Sequence, residues 1–144
     1  MQKPTTPQSE RITPKARRWA RLLTIAAIVI FAGAVLTLLP RGYSRDLSQI
    51  GKGVNAVVQI HDHNQVSSQQ LMDALNKLRG DYEGRVIFLV ADIYTPEGKE
   101  FAAAHGTESA ALVFFASNGE KLTMLHGLQD KDTIRKNIDQ AFHY

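Results

Sequence analysis

No cysteine occurs among the 144 residues. That absence excludes disulfides, thiolate metal sites and every reaction that uses a thiol nucleophile. It leaves the redox compartment open, because any compartment tolerates a cysteine-free chain. Acidic residues are nearly missing from the start of the chain. Residues 1–45 carry eight Lys/Arg against Glu10 alone, a net +7. Residues 46–144 carry nine Lys/Arg against thirteen Asp/Glu, a net −4, so the overall +3 describes neither part. A mildly acidic globular part argues against nucleic acid as a partner. No internal repeat or second domain is visible, and the length suits one modest domain plus an appendage.

Charge is also missing from "LLTIAAIVIFAGAVLTLL", residues 22–39. A helix of that length reaches roughly 27 Å, close to the roughly 30 Å hydrocarbon core of a bilayer. A buried core helix is a poorer reading, because the run has no polar stripe for a solvent side. Trp19 stands at one end, and Pro40, Arg41 and Tyr43 at the other, as suits the two interfaces. The segment 19–40 is therefore expected to be a single transmembrane helix. Arg11, Lys15, Arg17, Arg18 and Arg21 crowd its N-terminal flank. The positive-inside rule then places residues 1–18, a basic tail with a polar start, in the cytoplasm. The C-terminal part follows on the other side. A cleaved signal peptide is the competing reading, with Ala32-Gly33-Ala34 as its small-residue site.

Residues 41–53 read as a tether with a short helix near Asp46–Ile50. "VNAVVQI" (54–60) is a β-rich apolar run. After the loop "HDHNQVSS", Ser67 with Gln70 forms a capping-box pattern, and Leu71, Ala74, Leu75 and Leu78 recur at helical spacing. "RVIFLVAD" (85–92) is an apolar strand of the kind buried on both faces. Thr95-Pro96 opens a second helix. "ALVFFA" (111–116) and "KLTMLH" (121–126) flank an Asn-Gly turn and form a hairpin. Asp130 or Asp132 caps a last helix bearing Ile134, Ile138, Ala141 and Phe142 on one face. The order βαβαββα implies an α/β domain: a mixed four-stranded sheet with helices on both faces.

This order, the phrases "AVVQI" and "GRVIFLVADI", and the Asn118-Gly119-Glu120 turn resemble the thioredoxin-like family over roughly residues 54–142. The chain departs from that family where its chemistry lies. Gln65, Val66, Ser67 and Ser68 stand where the Cys-x-x-Cys would be, His61 and Asn64 at the usual Trp positions, and Ala111 where the family has its cis-proline. Thiol–disulfide exchange needs a thiolate. The resemblance thus implies the fold without the oxidoreductase activity, and thioredoxin-like domains that lose their cysteines tend to serve as binding or assembly modules.

Other chemistry finds less support. His61 and His63 follow the first core strand, and His126 ends the last one, so the three, with Asp62, form a candidate zinc or copper edge. The simpler reading is surface histidines, since no HxxxH or HxxEH spacing occurs. Ser67 or Ser68 beside a histidine lacks a nucleophile elbow. Gly51 and Gly53 precede a strand rather than follow one, unlike a phosphate loop. Asp92, at a strand end, reads as a turn or cap residue.

The expectation is a single-pass protein of a bacterial inner membrane, anchored through Leu22 to Leu39. Its redox-inert thioredoxin-like domain (54–144) lies in the periplasm and contacts other membrane or periplasmic proteins. No catalytic residue, cofactor or nucleic acid is expected. The loop residues His61, Asp62, His63, Asn64, Gln65 and Ser68 are the candidate partner-binding group. The alternative is a metal-handling domain built on His61, His63 and His126.

Overall fold

A computed structural model describes residues 23–34, 42–107 and 110–144. The chain divides into two compact units, residues 1–41 and 42–144. In the first, residues 23–34 form a helix (α1) with exposed apolar side chains, among them Ile28, Val29 and Phe31. Among the described residues no helix is long and apolar enough to cross a membrane. The rest of the expected span 19–40 and the basic tail lie outside the described residues.

The second unit is a mixed α/β domain. Its elements are β1 (Asn55–His61), α2 (Val66–Asn76), β2 (Val86–Asp92), α3 (Pro96–Ala104), β3 (Ala111–Phe115), β4 (Lys121–His126) and α4 (Lys131–Phe142). The sheet runs β2-β1-β3-β4. β1 and β2 are parallel, with Asn55 opposite Val86 and His61 opposite Asp92. β3 is antiparallel to both β1 and β4. Strand alternation sorts the apolar side chains into two layers. Val57, Leu112 and Phe114 pack under Leu71 and Leu75 of α2 and Ile134, Ile138 and Phe142 of α4. Ala56, Val58, Ile60 and Val113 pack on the other face, where α3 supplies Ala102 and Phe101.

Local chemistry starts most helices where the sequence indicates. The Thr95 hydroxyl accepts from the Gly98 amide at 3.1 Å, and Pro96 fills the first turn. The Asp130 carboxylate accepts from the Asp132 and Thr133 amides, both at 2.9 Å. Its ordinary acidity is strengthened, chiefly by the Thr133 hydrogen bonds. α2 differs from expectation. Its N-cap is Gln65, with no side-chain cap, and Ser67 lies inside the first turn. The cause is Asp62, whose carboxylate takes the Asn64 amide at 2.8 Å while its carbonyl takes the Gln65 amide at 3.1 Å. That turn brings the chain into helix before Ser67 is reached.

The segment 41–53, expected to be a tether, belongs to the domain from Gly42 onward. Ser44 bridges Leu89, its carbonyl accepting from the Val90 amide at 3.0 Å, so it covers part of the open edge of β2. Asp46 caps a 3₁₀ turn, Leu47–Gln49, and Leu47 and Ile50 pack on the α3 face of the sheet. Gly51 then meets the Asn118-Gly119 turn backbone to backbone, with room for no side chain between them, and the Gly53 amide donates to the Ser117 carbonyl at 2.9 Å. Gly51 therefore serves close packing against the hairpin turn, whereas Gly53 has open space around it and a left-handed φ of +93° that favours glycine.

Gly98 marks the closest approach in the fold. A Cβ there would lie 2.0 Å from the Asp92 carbonyl oxygen, where α3 crosses the end of β2. Gly98→Ala is expected to destabilise the domain by about 3 kcal/mol, because backbone rather than a flexible side chain must move. Urea unfolding of the variant against the wild type measures it, and a loss below about 0.5 kcal/mol, the range of surface changes, would contradict the packing.

Candidate functional site

The carboxyl ends of β1 and β2 are where open α/β sheets gather ligands. Here the β1–α2 loop and the β2–α3 loop meet, and a connected set of hydrogen bonds joins them. Asp62 is buried. Besides the Asn64 amide, its Oδ1 accepts from the Tyr94 hydroxyl at 3.1 Å. The Asn64 side-chain amide donates back to that hydroxyl at 2.5 Å. The His63 ring lies against the Tyr94 ring, centroids 4.2 Å apart, and the Gln69 amide holds the His63 carbonyl at 2.8 Å. Asp92 makes the corresponding turn on the second loop: Oδ1 accepts from the Tyr94 amide at 3.0 Å, and Oδ2 faces Arg45 at 3.5 Å.

A second string of polar groups runs inward. Ser68 is fully buried in the first turn of α2, and its Oγ accepts from the Asp62 amide at 2.9 Å. Ser68 Oγ lies 3.1 Å from His61 Nδ1. Gln59 is fully buried on β1, and its Nε2 donates to the Ser68 carbonyl at 2.8 Å while lying 3.4 Å from the same His61 nitrogen. The Ser68 carbonyl can only accept, so it fixes the amide with its nitrogen inward and toward the ring. His61 Nδ1 must then be the acceptor, and the neutral ring carries its proton on Nε2. Burial holds the His61 pKa below the ordinary histidine value, and the neighbouring Asp92 carboxylate opposes that shift.

The six loop residues proposed from the sequence thus separate into two groups. His63, Asn64 and Gln65 are exposed. Asp62 and Ser68 are buried, and His61 is half-buried, with its Nδ1 engaged inside. Val66 and Tyr94 were not among the partner-binding candidates, yet they are 68% and 53% exposed beside this loop. Next to Tyr94 opens a cavity of about 640 Å³, floored by Ile93, Ala102 and Ala103 with Lys99 in its wall. The signal for Tyr94 was its place two residues beyond Asp92, at the end of a buried strand.

The histidine edge is not drawn together. His126 pairs with Ala111, which pairs with Ile60, so two strand spacings, about 10 Å, separate it from β1. Among the described residues no group of three His, Cys, Asp or Glu side chains is arranged to hold a metal. Ser68 beside His61 is no hydrolase pair, since its oxygen is shut away from any substrate. No protein-family model matches the chain, and no curated protein matches it either.

Asp62 holds both loops at once. Asp62→Ala is expected to cost about 2 kcal/mol, since it leaves the Asn64 amide and the Tyr94 hydroxyl without their acceptor. Thermal unfolding checks the loss. Exchange of the Asn64 amide should also rise by more than that of β3 amides.

Proposed function

We propose that this chain is a membrane-anchored, redox-inert protein-interaction module of thioredoxin-like architecture. It serves as an accessory subunit or assembly factor of a membrane complex. The sheet order β2-β1-β3-β4, a parallel pair extended by an antiparallel hairpin, supports the architecture. The uncharged run 22–39 with its basic N-terminal flank supports a single span, an N-terminus in the cytoplasm and a domain in the periplasm of a bacterial inner membrane.

One observation carries the docking role. The exposed side chains Tyr94, His63 and Asn64 stand on a loop pair, and Val66 on the adjoining first turn of α2, all held together by the part-buried hydrogen bonds of Asp62 and its buried bond to Ser68. An exposed aromatic and apolar group held in one geometry binds with little ordering cost. Ser68 is buried and cysteine is absent, so neither that hydroxyl nor a thiol is offered to a substrate. Binding without turnover is the role this arrangement suits.

Purification of the full-length protein from its native membrane in mild detergent should yield a stoichiometric membrane partner. Val66→Asp with His63→Ser should weaken that association at least about tenfold, or about 1.4 kcal/mol. Both positions are exposed, so the melting temperature should stay nearly unchanged. Full retention of the partner by a folded variant would place docking elsewhere. A reporter fused after Tyr144 should read as periplasmic, and a cytoplasmic reading would overturn the topology.

A further inference from the structure

The sequence offers five histidines, and the structure engages one of them, His61, inside the domain through a nitrogen that must stay unprotonated. Three donors point one way along this string: the Asp62 amide to Ser68 Oγ, the Ser68 hydroxyl to His61 Nδ1, and the Gln59 amide to the same nitrogen. The string ties the end of β1 to the first turn of α2, and the loop carrying His63 and Asn64 spans the gap between them. A proton on Nδ1 faces two buried donors. The Gln59 amide cannot turn to receive it without abandoning the Ser68 carbonyl, and the Ser68 hydroxyl must redirect its own hydrogen.

We propose that His61 is a pH-sensitive pin, whose neutral ring anchors the β1–α2 loop to α2 and whose protonation releases that loop. That the released loop also weakens partner docking rests on the function proposed above.

The charges around the ring set the range. Asp92, opposite on β2, and Asp62, next in the chain, favour the imidazolium. Arg45, ahead of β1, opposes it directly and also sits 3.5 Å from the Asp92 carboxylate, and His63 opposes it once charged. From α2 the ring meets Ser68, which is neutral. Burial outweighs the acidic pair, so the folded ring takes up a proton less readily than a free histidine. The unfolded chain therefore binds more protons as pH falls through the ordinary histidine value of 6.5, and the pinned state loses stability from there downward.

The test uses the purified full-length protein. Histidine nitrogen NMR at pH of about 8 should show His61 as the Nε2–H tautomer, a readout that needs no variant. Between pH of about 7.5 and 5, the exchange protection of the Asp62 amide should fall about tenfold, while that of β3 amides holds. His61→Gln should abolish this pH dependence, and His63→Gln should keep it. Ser68→Ala should lower Asp62 protection at both pH values. An Nδ1–H tautomer, or Asp62 protection that stays constant in the wild type down to pH of about 5, overturns the pin. Parallel partner retention separates the two proposals: loss of the partner together with the loop supports both. A loop that loosens while the partner stays bound upholds the pin and overturns docking at this edge.

Discussion

The buried carboxylate of Asp62 is the constraint on which the site depends. It closes the turn that starts α2, and it receives the hydroxyl of Tyr94 from the neighbouring loop. A buried carboxylate is tolerated only where donors surround it, and its backbone amide is engaged as well, by Ser68. The position of α2, the course of the β1–α2 loop and the presentation of Tyr94 are therefore not independent. Two parallel strands end side by side at His61 and Asp92, and each delivers an aspartate-centred turn. The exposed residues inherit their geometry from these turns.

Hydrogen-bonded polar groups occupy this end of the sheet, Gln59 and Ser68 fully buried among them. Of Gln59, in the middle of β1, only the amide nitrogen is bonded, since Oε1 has no hydrogen-bond partner among the described residues. Its amide nitrogen is committed to the Ser68 carbonyl, and this places β1 and α2 in one register. The domain's far side is fixed by other means. Tyr82 donates to Asp139 at 2.6 Å, with burial first and this bond second holding its hydroxyl pKa up at about 12. The Arg135–Asp81 pair at 2.8 Å joins α4 to the 3₁₀ turn Arg79–Tyr82, although its exposure keeps its contribution small.

Much of the fold was legible because the cues are local. Apolar runs bounded by Gly, Asn and Asp gave four strands within a residue or two of their observed bounds. Thr95-Pro96 and Asp130 act within their own first turns, so reading them needs no knowledge of the rest of the chain. The start of α2 was misread for the converse reason. Ser67 had the right residue type and spacing for a cap, but Asp62 had already turned the chain. The spacing of the histidine edge was not legible, because sequence order says which strand ends at which side and not how many strands lie between.

The sequence by itself determined the element order, the apolar character of the strands, the lack of thiol chemistry and the uncharged N-terminal run. Each of these follows from residue type and short-range spacing, which act before the chain is folded. The two-sided burial expected of residues 85–92 is incomplete, because β2 lies at the sheet edge with Ile87 and Phe88 half-buried. Only the tertiary structure decided which loop residues face outward. Asp62, Ser68 and His61 look as polar in the sequence as His63, Asn64 and Gln65. The first three are drawn in because partners lie between six and 32 residues away, in α2 and at Tyr94. It also set Gly51 against the backbone of the hairpin turn and brought Tyr94 beside His63. Pairings across such separations depend on where the sheet puts two strand ends, and no local pattern encodes that.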